Sequence, residues 1–216
     1  MPTLPRLIIP DYPHHVVARA NGGLEVFHEK ADYLVFERIL AKIKARRQIK
    51  LWAYCLMSNH VHLLLVPEKE EELSKFMQGI LVSYTQYHHS KYETEGNLWR
   101  SKYFSSVVDM DTYLWKVMRY IERNPVRAGI VSFPEEYPYS SAFQKWDLIP
   151  FLDAPPLSPE EYEYYTRFCR EKEPSELLEF LRQSSKKSRP LGPRSFWQKL
   201  GLKERRRGRP PSKNRI

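Results

Sequence analysis

The stretch IKLWAYCLMSNHVHLLLV, residues 49–66, decides the fold. Its two arms, Ile49–Met57 and His60–Val66, consist mostly of apolar and aromatic side chains, a composition that is typical of largely buried strands. Ser58 and Asn59 stand between the arms, and both residue types favour a tight turn. The stretch therefore predicts a β-hairpin at the centre of a sheet.

Segments with clear periodicity flank the hairpin on both sides. They predict a strand over Tyr12–Ala20, a helix over Lys30–Arg47, a helix over Glu70–Tyr92, a strand over Leu98–Val108, and a helix from Thr112 to about Asn124 that Asp109 or Asp111 caps and Pro125 ends. The order β-α-β-β-α-β is that of the ferredoxin-like, split βαβ arrangement. We therefore predict an α+β fold: an antiparallel sheet with helices on one face, and an added seventh element, a helix, near the hairpin.

The chain divides into three regions by composition. Residues 1–145 contain the predicted sheet, and residues 146–183 form an acidic extension rich in proline and aromatic residues. Two short helices are predicted in that extension, over 159–172 and 174–183. Residues 184–216 are basic and poor in apolar residues, so we expect a largely flexible tail without a partner.

Charge separates the body from the tail. The net charge of +9 is the sum of −3 over residues 1–181 (22 basic, 25 acidic) and +12 over residues 182–216 (13 basic, one acidic). Such a layout is typical of a folded unit with an arm for nucleic acid or another anionic surface.

Several classes of protein are excluded by composition. The longest aliphatic run, Leu63–Val66, is far too short to span a membrane. The N-terminal residues lack the charged start and apolar stretch of a signal peptide. Cys55 and Cys169 make neither a disulfide framework nor a cysteine-rich zinc site. The sequence therefore predicts a cytoplasmic protein.

The first candidate site is His60-Val61-His62. Side chains alternate across a strand, so His60 and His62 point to the same face and Val61 to the other. Two imidazoles so placed can chelate one divalent cation. The alternative is a pair of polar residues on a solvated strand face.

The second candidate site lies on the predicted helix from Thr112 to about Asn124. Its core stripe consists of Leu114, Val117, Met118 and Ile121. Tyr120 and Asn124 lie together on the flank of this stripe with Tyr113, and Lys116 and Arg127 fall beside them. The phenol and the amide would supply a nucleophile and a third metal ligand across a cleft from the two histidines. The alternative is an ordinary helix end before a proline, with a tyrosine packed at its boundary.

Three motifs carry a family resemblance. Ala53–Pro67 (AYCLMSNHVHLLLVP), Asn97–Tyr103 (NLWRSKY) and Arg119–Val131 (RYIERNPVRAGIV) resemble the single-tyrosine HUH transposases, in particular the REP-associated tyrosine transposases. The resemblance extends over about residues 8–145, with the motifs in the family's order and spacing. It implies a ferredoxin-like fold with an added helix that bears the nucleophile.

The resemblance also implies roles for individual residues. His60 and His62 correspond to the HUH pair, and Tyr120 corresponds to the nucleophile. Asn124 falls at the third metal ligand, where other members of the superfamily have glutamine. The family suggests Mg²⁺ or Mn²⁺ as the cofactor, although two imidazoles and an amide do not by themselves select a metal.

The activity that the resemblance implies is DNA transposition. The metal would orient the scissile phosphate of single-stranded or hairpin DNA, such as REP-like repeats. Tyr120, helped by Lys116 or Arg127, would form a 5′-phosphotyrosine and release a 3′-OH. We expect a nucleoid-associated monomer or homodimer. Two alternatives stay open: a non-catalytic nucleic-acid-binding protein, and a hydrolytic nuclease in which metal-bound water attacks.

Basic residues on either side of the predicted helix from Thr112 to about Asn124 are candidates for DNA contact. Arg100 and Lys102 alternate with aromatic residues, a pattern suited to single strands, although half of this strand should be core. In the tail, Arg207-Gly208-Arg209-Pro210 resembles an AT-hook, which lies along a narrow minor groove. The alternative for the tail is salt-sensitive, nonspecific binding.

Overall fold

The computed structural model describes residues 6–100, 102–143 and 149–202. Its strands are β1 (His14–Arg19), β2 (Ile49–Met57), β3 (His60–Pro67) and β4 (Phe104–Val107). Its helices are α1 (Lys30–Lys44), α2 (Glu70–Tyr92), α3 (Met110–Glu122), α4 (Asn124–Arg127), α5 (Pro159–Arg170), α6 (Ser175–Lys186) and α7 (Arg194–Lys199).

The four strands form one antiparallel sheet in the order β2-β3-β1-β4, which confirms the predicted fold class. The predicted hairpin is present as β2 and β3. In the register of the sheet, Val17 of β1 lies opposite His62 of β3 on one side and Phe104 of β4 on the other. Because residues directly opposite each other in a sheet point to the same side, Val17, His62 and Phe104 share one face.

Helices α1 and α2 cover the first face of the sheet. Phe36 and Leu40 of α1 and Phe76 and Ile80 of α2 are fully buried against it. Burial of each such side chain stabilises the fold by about 1.5–3 kcal/mol.

Helix α3 covers the second face, close to the hairpin, as the sequence predicts. Its buried residues include the whole predicted stripe: Leu114, Val117, Met118 and Ile121. Asp109 is the N-cap, and its carboxylate accepts a hydrogen bond from the backbone N–H of Thr112. The predicted end differs, because Pro125 lies in the first turn of α4, where no backbone N–H donor is required.

Strand β4 is shorter than predicted. The sequence predicts a strand over Leu98–Val108, whereas pairing with β1 is continuous only over Phe104–Val107. Trp99 makes an isolated bridge to Ala20 and is buried at the edge of the first core. The strand prediction is wrong at its N-terminal end, because strand-forming residue types do not show where pairing with a neighbouring strand begins.

The C-terminal region departs most from expectation. The sequence predicts flexible chain from Ser184, but α6 continues to Lys186, and Leu191 and Phe196 are buried. Leu191 donates a backbone hydrogen bond to Val107 and accepts one from Asp109, each 2.8 Å long. The segment is ordered because it supplies partners to the exposed edge beside β4. The predicted AT-hook residues Arg207 and Arg209 lie outside the described residues.

Within these described ranges, no helix combines the length and the apolarity that a membrane span requires. Cys55 and Cys169 are both buried free thiols.

Candidate active site

The two histidines of β3 lie side by side on the second face of the sheet. The ring centroids of His60 and His62 are 5.0 Å apart, as alternation along the strand predicts. His62 is buried, whereas His60, at the start of the strand, is partly exposed. Arg19 lies opposite His60 in the register and so adds a cation to the same face.

Each of these imidazoles is oriented through its Nδ1 atom. His60 Nδ1 lies 2.7 Å from the side-chain oxygen of Asn59, and His62 Nδ1 lies 2.8 Å from Nε2 of His15. The Nε2 atom of each ring is thus the nitrogen left for a ligand. This donor set suits a divalent metal, since ligating histidines in proteins are normally held by a second partner at the other nitrogen.

Burial keeps both rings neutral. It lowers the pKa of His60 to about 4, with smaller contributions from the cations Arg19 and Arg127. It also lowers the pKa of His62 well below its usual value, and the neighbouring His60 and His15 rings act in the same direction. Neutral imidazole is the form that binds metal, so the pair is ready to ligate near pH 7.

Helix α3 carries Tyr120 to this pair. The ring of Tyr120 packs edge-on against His62, with centroids 5.9 Å apart, and against His15 at 5.7 Å. The guanidinium of Arg127 lies 4.3 Å from the centroid of the Tyr120 ring. The structure therefore brings the phenol of Tyr120 and the cation of Arg127 to the imidazoles of His15 and His62. These histidines lie far from that helix in the sequence.

Asn124 stands at the junction of α3 and α4. Its Nδ2 group donates hydrogen bonds to the carbonyls of Tyr120 (3.1 Å) and Ile121 (3.0 Å). These bonds leave Oδ1 as the atom with which it can ligate a metal. In the described part of the chain, no hydrogen bond joins Asn124 to His60 or His62, so its role as third ligand stays a prediction.

A small cavity of about 20 Å³ lies at the centre of the site. His62 and Tyr120 line it, together with three basic side chains, Arg19, Arg182 and Lys186, and the hydroxyl of Ser185. No carboxylate contributes to this lining, so the charge around the cavity favours an anion. Arg182, Ser185 and Lys186 belong to α6, which therefore lies over the site.

Arg127 and Lys116 have different environments. Arg127 donates to the Glu173 carboxylate at 2.6 Å, and Glu173 also accepts from Arg123 at 2.9 Å. Burial lowers the pKa of Arg127, whereas Glu173 acts to raise it. The Nζ atom of Lys116 instead lies 4.6 Å from the ring centroid of Tyr113. Arg127 is thus part of the Tyr120 environment, and the contacts of Lys116 do not place it there.

The other predicted DNA contacts lie at the surface. Arg100 and Lys102 are exposed, as a contact with a strand of DNA would require. Their role stays a prediction.

Sequence reasoning missed the residues that complete the cavity. His15 carried a signal, because alternation along β1 places it on the same face as Arg19, but its contact with His62 depends on the strand register. Arg182, Ser185 and Lys186 carried none, since they were assigned to the end of an acidic helix and the start of a flexible tail.

Comparisons with known proteins identify the family of the chain. Residues 9–124 match the family model described as "Transposase IS200 like". A protein of Haemophilus influenzae, named as a REP-associated tyrosine transposase, is 26% identical over 100 residues, which make up 41% of this chain and 56% of that protein. The matched stretch thus spans about half the length of this relative.

A solved structure shares the fold. The structure of a REP-associated tyrosine transposase bound to a REP hairpin aligns with a TM-score of 0.57 and 17% identity, covering 71% of this chain and 89% of the other. The family model matches more than half of the present chain, and the sheet and helix α3 that it includes carry the site described above. The chain is a member of the IS200-like transposase family.

Proposed function

We propose that this protein cleaves and rejoins hairpin-forming single-stranded DNA through a 5′-phosphotyrosine intermediate on Tyr120. One observation carries the proposal: Tyr120 and His62 line a single cavity together with Arg19, Arg182 and Lys186. A nucleophile, a metal-ligating ring and three cations around one small space match the needs of phosphodiester transfer. Membership of the transposase family supports the same reaction class.

The donor atoms of the site fit a divalent metal. His60 and His62 would hold Mg²⁺ or Mn²⁺ through their Nε2 atoms, and Asn124 is the candidate third ligand. When bound, the metal supplies charge neutralisation and orientation of the scissile phosphate.

The residues of the chain perform the remaining steps. The phenolic oxygen of Tyr120 forms a bond to phosphorus while the bond from phosphorus to the 3′ oxygen breaks. The phenol loses its proton, and the departing 3′ oxygen gains one to become a free 3′-OH. Arg19, Arg182 and Lys186 hold the phosphate, and the guanidinium of Arg127, over the face of the Tyr120 ring, holds that ring in place. The reverse reaction with another 3′-OH rejoins DNA without a nucleotide cofactor.

The hairpin substrate is inferred from the relative that was solved with a REP hairpin. On the present chain, the exposed Arg100 and Lys102 lie just before β4 and offer phosphate contacts to a strand that enters the site.

A covalent-adduct assay tests the proposal. Labelled hairpin oligonucleotides are incubated with Mg²⁺ or Mn²⁺ and the full chain, and the products are separated on a denaturing gel. We expect label on the wild-type protein and none on Tyr120→Phe, with cleavage reduced by several orders of magnitude. Tyr113→Phe is the matched control, because Tyr113 lies on the same helix but packs against Phe180. It should form the adduct normally.

Two other outcomes would contradict the proposal. Cleavage without an adduct, unchanged in Tyr120→Phe, would identify a hydrolytic nuclease. Binding of a series of hairpins without any cleavage would identify a nucleic-acid-binding protein that does not cut.

A further inference from the structure

His15 is a buried residue outside the predicted ligand set, yet its side chain is in hydrogen-bond contact with His62. Its Nε2 atom lies 2.8 Å from His62 Nδ1, and the two rings are nearly parallel, with centroids 5.1 Å apart and an interplanar angle of 12°. His15 is 1% exposed and His62 2% exposed, so water does not replace either partner. The contact is therefore a constraint on where His62 carries its proton.

The other nitrogen of His15 also has a partner. His15 Nδ1 lies 3.1 Å from the hydroxyl of Ser185 on α6. A neutral imidazole has one N–H and one lone pair, so these two contacts are coupled. When His15 donates from Nδ1 to Ser185, its Nε2 accepts, and the proton in the contact between the rings must come from His62 Nδ1. The Nε2 atom of His62 then has a free lone pair.

The reverse arrangement has the opposite consequence. If Ser185 donates to His15, then His15 donates to His62 Nδ1, and the proton of His62 moves to Nε2, where it blocks ligation. Both arrangements have the same charge and differ only in the tautomer of each ring.

His60 shows which tautomer the site requires. Its Nδ1 lies 2.7 Å from the side-chain carbonyl oxygen of Asn59, and a carbonyl oxygen only accepts. His60 therefore has its proton on Nδ1 and its lone pair on Nε2. For both histidines of β3 to present Nε2 lone pairs, His62 also needs a hydrogen-bond acceptor at its Nδ1 atom. Nε2 of His15 lies there.

We propose that His15 is a positioning residue for the metal site: its Nε2 accepts the Nδ1 proton of His62 and holds His62 in the tautomer that ligates through Nε2. Ser185 fixes His15 in turn, so that helix α6 contributes to the same chain of hydrogen bonds. The inference rests on the proposed function for the identity of His62 as a ligand, but its first test needs neither metal nor activity.

The first test measures the tautomer directly. Long-range ¹H–¹⁵N NMR on the full, metal-free chain, labelled with ¹⁵N-histidine, reports which ring nitrogen carries the proton. The signals of His62 are assigned by their loss in His62→Gln. We expect His60 and His62 both to be protonated at Nδ1. A His62 ring protonated at Nε2 would overturn the proposal.

The second test measures affinity for Mn²⁺ by the EPR signal of the free ion. His15→Phe keeps a flat ring but removes the acceptor, and we expect affinity to fall about 10–100-fold. His15→Gln restores an acceptor oxygen and should recover most of this loss, which a merely space-filling role of His15 does not predict. His14→Gln is the matched control and should bind as the wild type does, because His14 Nε2 accepts from the backbone N–H of Ile9 instead.

The outcomes separate this inference from the proposed function. Equal affinity of wild type and His15→Phe would refute the positioning role. If His15→Phe does not fold, the wild-type tautomer and His15→Gln decide the question. If Mn²⁺ affinity depends on His15 but the protein forms no phosphotyrosine adduct, the result supports the positioning role and contradicts only the proposed function.

Discussion

At the scale of single residues, the Tyr120 ring is held on three sides. The rings of His15 and His62 pack against it edge-on, and the guanidinium of Arg127 lies over its face. As a result, Tyr120 is only 6% exposed. A side chain with so little freedom before substrate binds has already lost the entropy of orientation that the proposed attack on phosphorus would require. The same packing places Tyr120 among the buried residues of the second core, beside the predicted stripe of α3.

His14 gives a pH prediction at this scale. Burial lowers its pKa from 6.5 to about 3, so the folded state keeps it neutral where the unfolded chain takes up a proton. The stability it contributes is therefore complete above pH 6.5 and is lost as the pH falls towards 3. Between pH 4 and 6, His14→Gln should reduce the slope of unfolding free energy against pH by about 1.4 kcal/mol per pH unit.

Urea denaturation at several pH values measures this slope. Gln keeps an oxygen that can accept from the backbone N–H of Ile9, so the fold is expected to survive. Parallel curves for wild type and variant would show that His14 does not control acid stability.

At the scale of elements, the segment between α5 and α6 is tied to α3 and α4 by one carboxylate. Glu173 binds Arg123 and Arg127, with side chains 1%, 7% and 13% exposed. Arg123 also donates to the carbonyls of Cys169 and Arg170 at the end of α5. Through Arg127, this buried network reaches the Tyr120 ring.

Glu173→Ala is predicted to lower the free energy of unfolding by about 3–5 kcal/mol, because two buried guanidinium groups lose their counter-charge. Chemical denaturation measures the change. Glu171→Ala, two residues earlier and exposed, should stay within about 0.5 kcal/mol of wild type. A small effect of Glu173→Ala would mean that solvent reaches the two arginines.

At the scale of the whole molecule, the sheet is the middle layer of three. Helices α1 and α2 form one outer layer, and α3, α5 and α6 pack together in the second core. The residues after Ser184 continue the packed structure, since Ser185, Leu191 and Phe196 are buried and Leu191 belongs to the second core. The C-terminal region thus contains a packed segment, and the basic residues from Lys203 onwards lie outside the described residues.

Removal of residues 203–216 tests that division. This stretch has seven basic residues and one acidic residue, so its loss should weaken DNA binding and flatten the dependence of affinity on salt. The melting temperature should stay that of the full chain. Binding titrations at several salt concentrations measure the effect, and an unchanged slope would contradict it.

A second truncation, after Gln183, is the contrasting variant. It removes the buried residues Ser185, Leu191 and Phe196, and we expect a clear loss of stability. The backbone groups of Val107 and Asp109 also lose their hydrogen bonds to Leu191. Equal stability of both truncations would mean that the segment 184–202 does not contribute to the core.

The sequence by itself determined the hairpin, the main helices of the body and the pair of histidines. The apolar composition of its arms specified the hairpin, apolar periodicity specified the stripe of α3, and alternation along β3 placed His60 and His62 on one face. These features depend on local backbone geometry, which repeats every two or 3.6 residues and can be recognised in a short window. The motifs that resemble a known family added the roles expected of Tyr120 and Asn124.

Only the tertiary structure decided which other groups meet at the site. The contact of His15 with His62 depends on the register between β1 and β3, and a shift of one residue would place His15 on the opposite face. Arg182, Ser185 and Lys186 reach the cavity because α6 packs across the sheet, although α6 follows β3 by more than 100 residues along the chain. Such long-range packing depends on the burial of apolar surface over the whole chain, so a local sequence pattern does not predict it.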